Sequence, residues 1–404
     1  MPPRLVANTS SQSSPPTVNA DATLLEKEVA EWLTEESRKR RRASADKENI
    51  SLTPKGKDTD IEKKTTYQAY GQHIGRLIDF SQIIDHIIET GIKLALDDDE
   101  NEDENDEDED KKTKHIAIRH QCEDWDVLCN KIPGFKESMM MLASKRTLRH
   151  DVACHLTNGI EAVCCDDCAA LKERLPSFIL FDPKETLDPP IAMSGNKGDQ
   201  GFNHKVTGFL LCPITLPTTT ETYNKILDGN IIVTAKQLPR FLYPLDHNHD
   251  TQTLLDGVFE GYLMVRAAKF ILIGCSCATS APGASTAWRG NAALANITTV
   301  TPQIIAYVAV QLHFALSSQS TWGSKDKGHF NYHKFYWNII SFFDADPDAG
   351  KEIIGHYNYQ LWGDKAGFSG SASQDANGGD DDDDDSDDRF ALLRAAKRTR
   401  GPPA

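Results

Sequence analysis

Residues 302–317, PQIIAYVAVQLHFALS, constrain the fold more than any other stretch. Thr301 is a good N-cap, and Pro302 suits the first helical position, where a missing N–H costs nothing. At 3.6 residues per turn, Gln303, Tyr307, Gln311 and Ser318 form one narrow polar stripe. Ile305, Val308, Ala309, Leu312 and Leu316 lie opposite, and Ile304, Ala306, Val310 and Phe314 fill the flanks. A helix apolar on nearly every side belongs in a core or a membrane. Crossing a bilayer takes about 20 apolar residues, so the stretch predicts a core helix that the rest of the globular part wraps, and no membrane span.

Charge divides the chain into regions. The net charge is −16, yet residues 97–110 carry 12 acids and residues 380–388 carry 8. Setting those aside leaves 40 acidic against 44 basic residues, a mildly basic body with two acidic segments. Blocks of like charge stay solvated and often serve as interaction tails. The start, MPPRLVANTSSQSS, has no apolar h-region, which predicts no secretory signal. The nine cysteines are then expected as reduced thiols, and their odd number speaks against a complete disulfide framework.

Residues 1–65 read as mostly disordered, with a short helix opened by the capping box Thr23-Leu24-Leu25-Glu26. That helix runs into Arg38, Lys39, Arg40, Arg41 and Arg42. Five consecutive cations match a nuclear-import signal or a nucleic-acid patch, and exceed what capping a helix C-terminus needs. Ser44 and Thr53 lie in short patterns that basophilic and proline-directed kinases accept. A phosphate there would oppose the adjacent basic charge.

A helical domain is expected over 66–362, interrupted by a disordered acidic insert at 97–114, with 363–404 a disordered acidic-then-basic tail. The periodicity predicts helices over about 72–96, 115–131 and 147–173. Prolines and glycines between Pro183 and Gly201 mark an irregular linker. Gly208–Pro213 is short and apolar, a strand or an extended buried segment, and Ile231–Val233 reads as a β-branched strand. Thr220–Leu227 reads as a short helix, and Asp256 as the cap of a helix over about 257–273. Aromatic-rich helices follow near 331–343 and 351–362. The fold class is mainly α: one irregular helical domain with at most short strands.

Two clusters have metal-ligand chemistry. Cys154-His155 with Cys164, Cys165 and Cys168 offers thiolate and imidazole ligands that suit zinc. On a helix, however, thiols three apart are equally well buried apolar side chains, and packing is the preferred reading. Asp246-His247-Asn248-His249-Asp250 alternates imidazoles and carboxylates, as in hydrolytic metal sites, or forms a solvated turn. Trp288-Arg289-Gly290-Asn291 lies between the best core helices and would bind an anion or satisfy open backbone groups. Neither common glycine-rich phosphate loop is present, nor a Gly-x-Ser-x-Gly elbow, nor His-Glu-x-x-His. No catalytic, cofactor or metal residue is assigned.

Several motifs are familiar. Gly71–Asp79, Leu187–Pro190, Gly201–His204 with Thr207-Gly208, Leu210–Pro213, Leu227–Gly229 and Phe241–Pro244 resemble an uncharacterised domain family of mushroom-forming fungi. The most specific match is Arg289–Ala292, Val300–Pro302, Ile305–Val308 and Phe314–Ser318. The likeness covers about 70–362 and implies no catalytic residues, because the family's function is unknown.

These readings together predict a nuclear, non-enzymatic interaction protein. Its expected partners are an import receptor and basic nuclear proteins or nucleic acid, with no membrane, and the oligomeric state stays open. The alternative is a hydrolase or nucleic-acid-processing enzyme with a site near 246–250 or 289–291.

Overall fold

The computed structural model describes residues 58–80, 83–96, 109–182, 184–191, 197–247, 255–284, 290–319 and 330–369. The chain divides into two units, Met1–Glu62 and Lys63–Ala404. Only the start of the first helix is described in the smaller unit. Among the described residues there are twelve α-helices and no strand, only an isolated bridge between Pro213 and Pro239. The helices are α1 (Asp58–Ile74), α2 (Ile84–Leu96), α3 (Glu109–Lys131), α4 (Phe135–Met141), α5 (Arg146–Arg174) and α6 (Lys205–Leu211). They continue with α7 (Thr220–Leu227), α8 (Tyr262–Leu272), α9 (Gly290–Leu294), α10 (Pro302–Leu316), α11 (Tyr332–Ala345) and α12 (Pro347–Trp362). No helix among the described residues is long and apolar enough to cross a membrane.

The central helix is α10. The Thr301 side chain accepts from the Ile304 N–H, and Pro302 occupies the first turn. Every residue from Ile304 to Leu316 is buried, so α10 is wrapped on all sides, chiefly by α5, α6, α8 and α11. The later helices start as locally. Asn331 caps α11 through the Lys334 N–H, and Asp346 caps α12 through the Ala349 N–H. Gly363 ends α12 in the left-handed region at φ 79°.

Two apolar clusters form within the larger unit. One surrounds α10. The other gathers isoleucines of α2 with Trp125 and Leu128 of α3, Phe135 and Met139 of α4, and Leu156 and Ile160 of α5. The chain between α1 and α2 passes between them: Leu77 belongs to the first cluster and Ile78 to the second.

The structure changes several expectations. The predicted helix over 72–96 is two helices, because the chain turns between Ile74 and Ile84. Gly208–Leu211 is helical within α6, and Ile231–Val233 forms no strand: the Ile231 N–H instead bonds the Lys225 carbonyl. The helix placed at 257–273 begins at Tyr262. Gly257 and Phe259 adopt φ 69° and 66°, which a helix cannot accommodate, so Asp256 caps nothing. Helix α3 starts at Glu109, within the segment assigned to the acidic insert. The short helix at 220–227 is found where expected, with Thr219 as its cap.

Candidate functional site

The boundary between the two clusters is polar, and part of it is closed. Arg76 and Asp167 are almost fully buried and form two parallel hydrogen bonds, Nε to Oδ2 and one terminal nitrogen to Oδ1, each 2.7 Å. The Tyr307 hydroxyl donates to the same Oδ2 at 2.7 Å. Burial opposes the charge on Arg76, but the carboxylate beside it outweighs that effect and raises the guanidinium pKa. Burial pushes the Tyr307 hydroxyl well up as well.

One turn further along α10, Gln311 is fully buried. Its Oε1 accepts from the Cys168 thiol at 2.6 Å, and its amide nitrogen donates to the Cys164 carbonyl at 3.4 Å. Tyr307 and Gln311 of the polar stripe therefore face inward, onto α5, while Gln303 is half-buried and Ser318, beyond the helix, is exposed. At the C-terminal end of α10, buried Lys197 donates to the Phe314 carbonyl at 2.5 Å and lies over the Phe314 ring. A cation suits the carbonyls that end a helix. Beside it, burial and the Lys197 charge push His313 down to about 3.

The other part of the boundary is open. Asp79 follows α1, Asp124 and His120 lie one turn apart on α3, and Tyr336 comes from α11. With Glu123, Gln303, Trp337 and Ile340 they line a recess of about 200 Å³, counting its mouth. Its interior takes roughly one water-sized group, so this recess suits a small guest. Asp79 is 1 % exposed, Asp124 4 %, His120 3 % and Tyr336 1 %.

Asp79 faces His333 at 3.7 Å. The Nε2 of His120 lies 3.0 Å from Asp344 Oδ2, and its ring stacks on Trp337 at 4.2 Å. Among the described residues, Asp124 Oδ2, His120 Nδ1 and Tyr336 Oη have no hydrogen-bond partner. Burial first, and then the charge of Asp79, push the Asp124 carboxyl up to about 8. Burial, with the same two aspartates, holds the Tyr336 hydroxyl well above its usual range. Two buried carboxyls facing each other can share one proton or hold a small cation.

The sequence-predicted sites lie elsewhere. Arg38–Arg42, Ser44 and Thr53 are outside the described residues. Of the first metal cluster, Cys154 and Cys165 are exposed on α5 while Cys164 and Cys168 are buried, so the thiols point to different sides. Burial pushes Cys164 up to about 12, which keeps it a thiol. Of the second, Asp246 and His247 are described, and His247 packs on Tyr243, whereas 248–250 lie outside. Among the described residues, no three His, Cys, Asp or Glu side chains come together as metal ligands. Asn291 donates to the Ile271 carbonyl at 2.6 Å, a backbone-satisfying role, while Trp288 and Arg289 are outside the described residues.

Sequence reasoning missed the recess. The available signal was register: His120, Asp124 and Leu128 recur every fourth residue on α3, which puts two polar residues on the buried face.

The motifs that carry the family resemblance hold the fold together. His204 Nδ1 accepts from the Val206 N–H, so Nε2 bears the proton and donates to the Pro189 carbonyl at 2.8 Å. The Gly201–His204 motif is thereby joined to Leu187–Pro190. The Thr207 hydroxyl donates to the Gly201 carbonyl at 2.6 Å. The model of a family of unknown function (DUF6698) matches residues 158–362. No curated protein matches the chain, and no solved structure does.

Proposed function

The chain belongs to that family of unknown function, DUF6698, and from this premise we propose that it is a non-enzymatic interaction protein of the nucleus. The observation that carries the reading is the separation of charge along the chain. Five consecutive cations stand at Arg38–Arg42, 12 acids at 97–110 and 8 acids at 380–388, around a body that is otherwise mildly basic. The basic run fits an import receptor or nucleic acid, and the acidic runs fit basic nuclear proteins. The body itself supports a binding role. Arg76, Asp167 and Tyr307 bond one another, and Gln311 bonds Cys168 and Cys164, rather than facing a substrate-sized cavity. Asn291, named for the alternative enzyme reading, is held by the Ile271 carbonyl. On the motifs quoted above, we also read the source as a mushroom-forming fungus.

A fluorescent fusion of the full chain tests the reading. The fusion should accumulate in the nucleus, and replacing all five of Arg38–Arg42 with alanine should shift it toward the cytoplasm. Unchanged nuclear retention would move the signal away from that run, with Lys397-Arg398 the next place to look. A wild-type fusion that stays cytoplasmic would contradict the nuclear reading.

A further inference from the structure

The recess between α3 and α11 is unusual in what it presents. Nε2 of His120 lies 3.0 Å from Asp344 and 3.3 Å from Arg119, and its Nδ1 is buried without a partner among the described residues. Asp124 Oδ2 and Tyr336 Oη are likewise buried without a partner among the described residues, and Asp79 adds a second carboxylate. A cluster of acceptors calls for a guest that donates several hydrogen bonds and carries positive charge.

The surroundings agree in sign. Asp79, Glu123, Asp124 and Asp344 face the site from the α1–α2 connection, α3 and α11, against Arg119, His120 and His333. Arg119 is already engaged by Asp344 and Glu123. Size narrows the guest further. The base of the recess has room for roughly one water-sized group, which fits an ammonium and not the planar fork of a guanidinium. A divalent metal is disfavoured, because no three acidic, imidazole or thiol ligands converge among the described residues. Trp337, half-buried, and Ile340 provide an apolar wall, suited to an aliphatic stem whose charged end goes deeper.

We propose that this recess receives the primary ammonium of a lysine side chain presented by a partner protein. Its three N–H donors meet Asp124 Oδ2, Tyr336 Oη and an oxygen of Asp79, and its stem lies along Trp337. The proposal deepens the interaction reading above by naming the chemistry of the partner, and it rests on that reading for the partner's being a basic nuclear protein. Binding favours the ionised form of Asp124, whose carboxyl burial otherwise keeps protonated up to about pH 8. Affinity should therefore strengthen from pH 6 to pH 8.

The test is fluorine NMR on the full-length protein labelled with 5-fluorotryptophan, in which Trp337→Phe identifies one of the six indole resonances. The probe is Nα-acetyl-lysine methylamide. The Trp337 resonance should move saturably with it, with half-saturation in the millimolar range. Acetylating the probe's amine should weaken the effect about tenfold or more, by removing the charge and a donor. Asp124→Asn should weaken it to a similar degree, and Tyr336→Phe, which keeps the ring, by about threefold. Binding with equal strength by the acetylated probe or by the Asp124→Asn protein would overturn the proposal. So would an unmoved resonance, or a response to ammonium chloride or magnesium chloride without one to the lysine probe. Purified protein and a small probe are used, so failure here leaves the import result standing and is distinct from it.

Discussion

Gln311 shows how much a single buried amide carries. It bonds a thiol and a carbonyl of α5 inside the core, where no water replaces a lost partner. Removing the amide leaves the Cys168 thiol unsatisfied and opens a cavity. Gln311→Ala should therefore cost about 2–4 kcal/mol, close to the roughly 2–5 kcal/mol expected of Leu312→Ala beside it. Chemical denaturation of the two variants decides this. A Gln311→Ala protein within about 0.5 kcal/mol of wild type would mean that the amide's bonds add little. The apolar face of α10 was legible in the sequence from its spacing. The direction of its polar stripe was not, because periodicity shows which residues share a face and not whether the facing helix offers partners. Here Cys164, Asp167 and Cys168 on α5 provide them.

At the scale of elements, the starts of α7 and α10 were readable, while the one expected at Asp256 was not. Thr219 and Thr301 cap their helices as their residue type predicts, because a short side-chain oxygen meets an exposed N–H whatever the tertiary context. Boundaries set by tertiary contacts were less visible. The segment 208–211 is apolar and short, which fits a strand or a buried helix equally, and capping by His204 makes it helical. The crossing of α1 and α5 is another contact of this kind. A Cβ on Gly159 would come within 2.2 Å of the Gln68 carbonyl oxygen, and one on Gly71 within 2.3 Å of that of Leu156. Gly159→Ala should lower stability by about 1–3 kcal/mol, although alanine is the better helix former. Gly355→Ala in α12 is the control, since its Cβ would find its nearest neighbour at 3.7 Å. That change should be neutral or stabilising by up to about 1 kcal/mol. Equal melting temperatures for the two variants would show that the α1–α5 crossing yields easily.

In the molecule as a whole, two apolar clusters meet across a polar boundary whose two parts behave differently. The closed part, Arg76 with Asp167 and Tyr307, has every charge matched. The open part, Asp79 with Asp124, holds a carboxyl that burial makes unfavourable to ionise. The sign of the pH effect follows from that shift. The folded protein keeps a proton on Asp124 up to about pH 8, whereas an unfolded chain releases it near pH 4, roughly. Between those values the native state binds more protons, so this group's contribution falls as pH rises, by at most about 1.4 kcal/mol per unit.

Stability measured by denaturation at pH 5 and pH 8, for wild type, Asp124→Asn and Asp167→Asn, tests most directly the claim that one part of the boundary holds the fold and the other is kept for a guest. Asp124→Asn should be more stable than wild type at pH 8, with the difference shrinking toward pH 5. Asp167→Asn should be less stable at both, by about 3–5 kcal/mol, because it leaves the Arg76 charge buried and unmatched. An Asp124→Asn protein destabilised as much as Asp167→Asn at pH 8 would contradict that division, and would make the recess a structural part of the core.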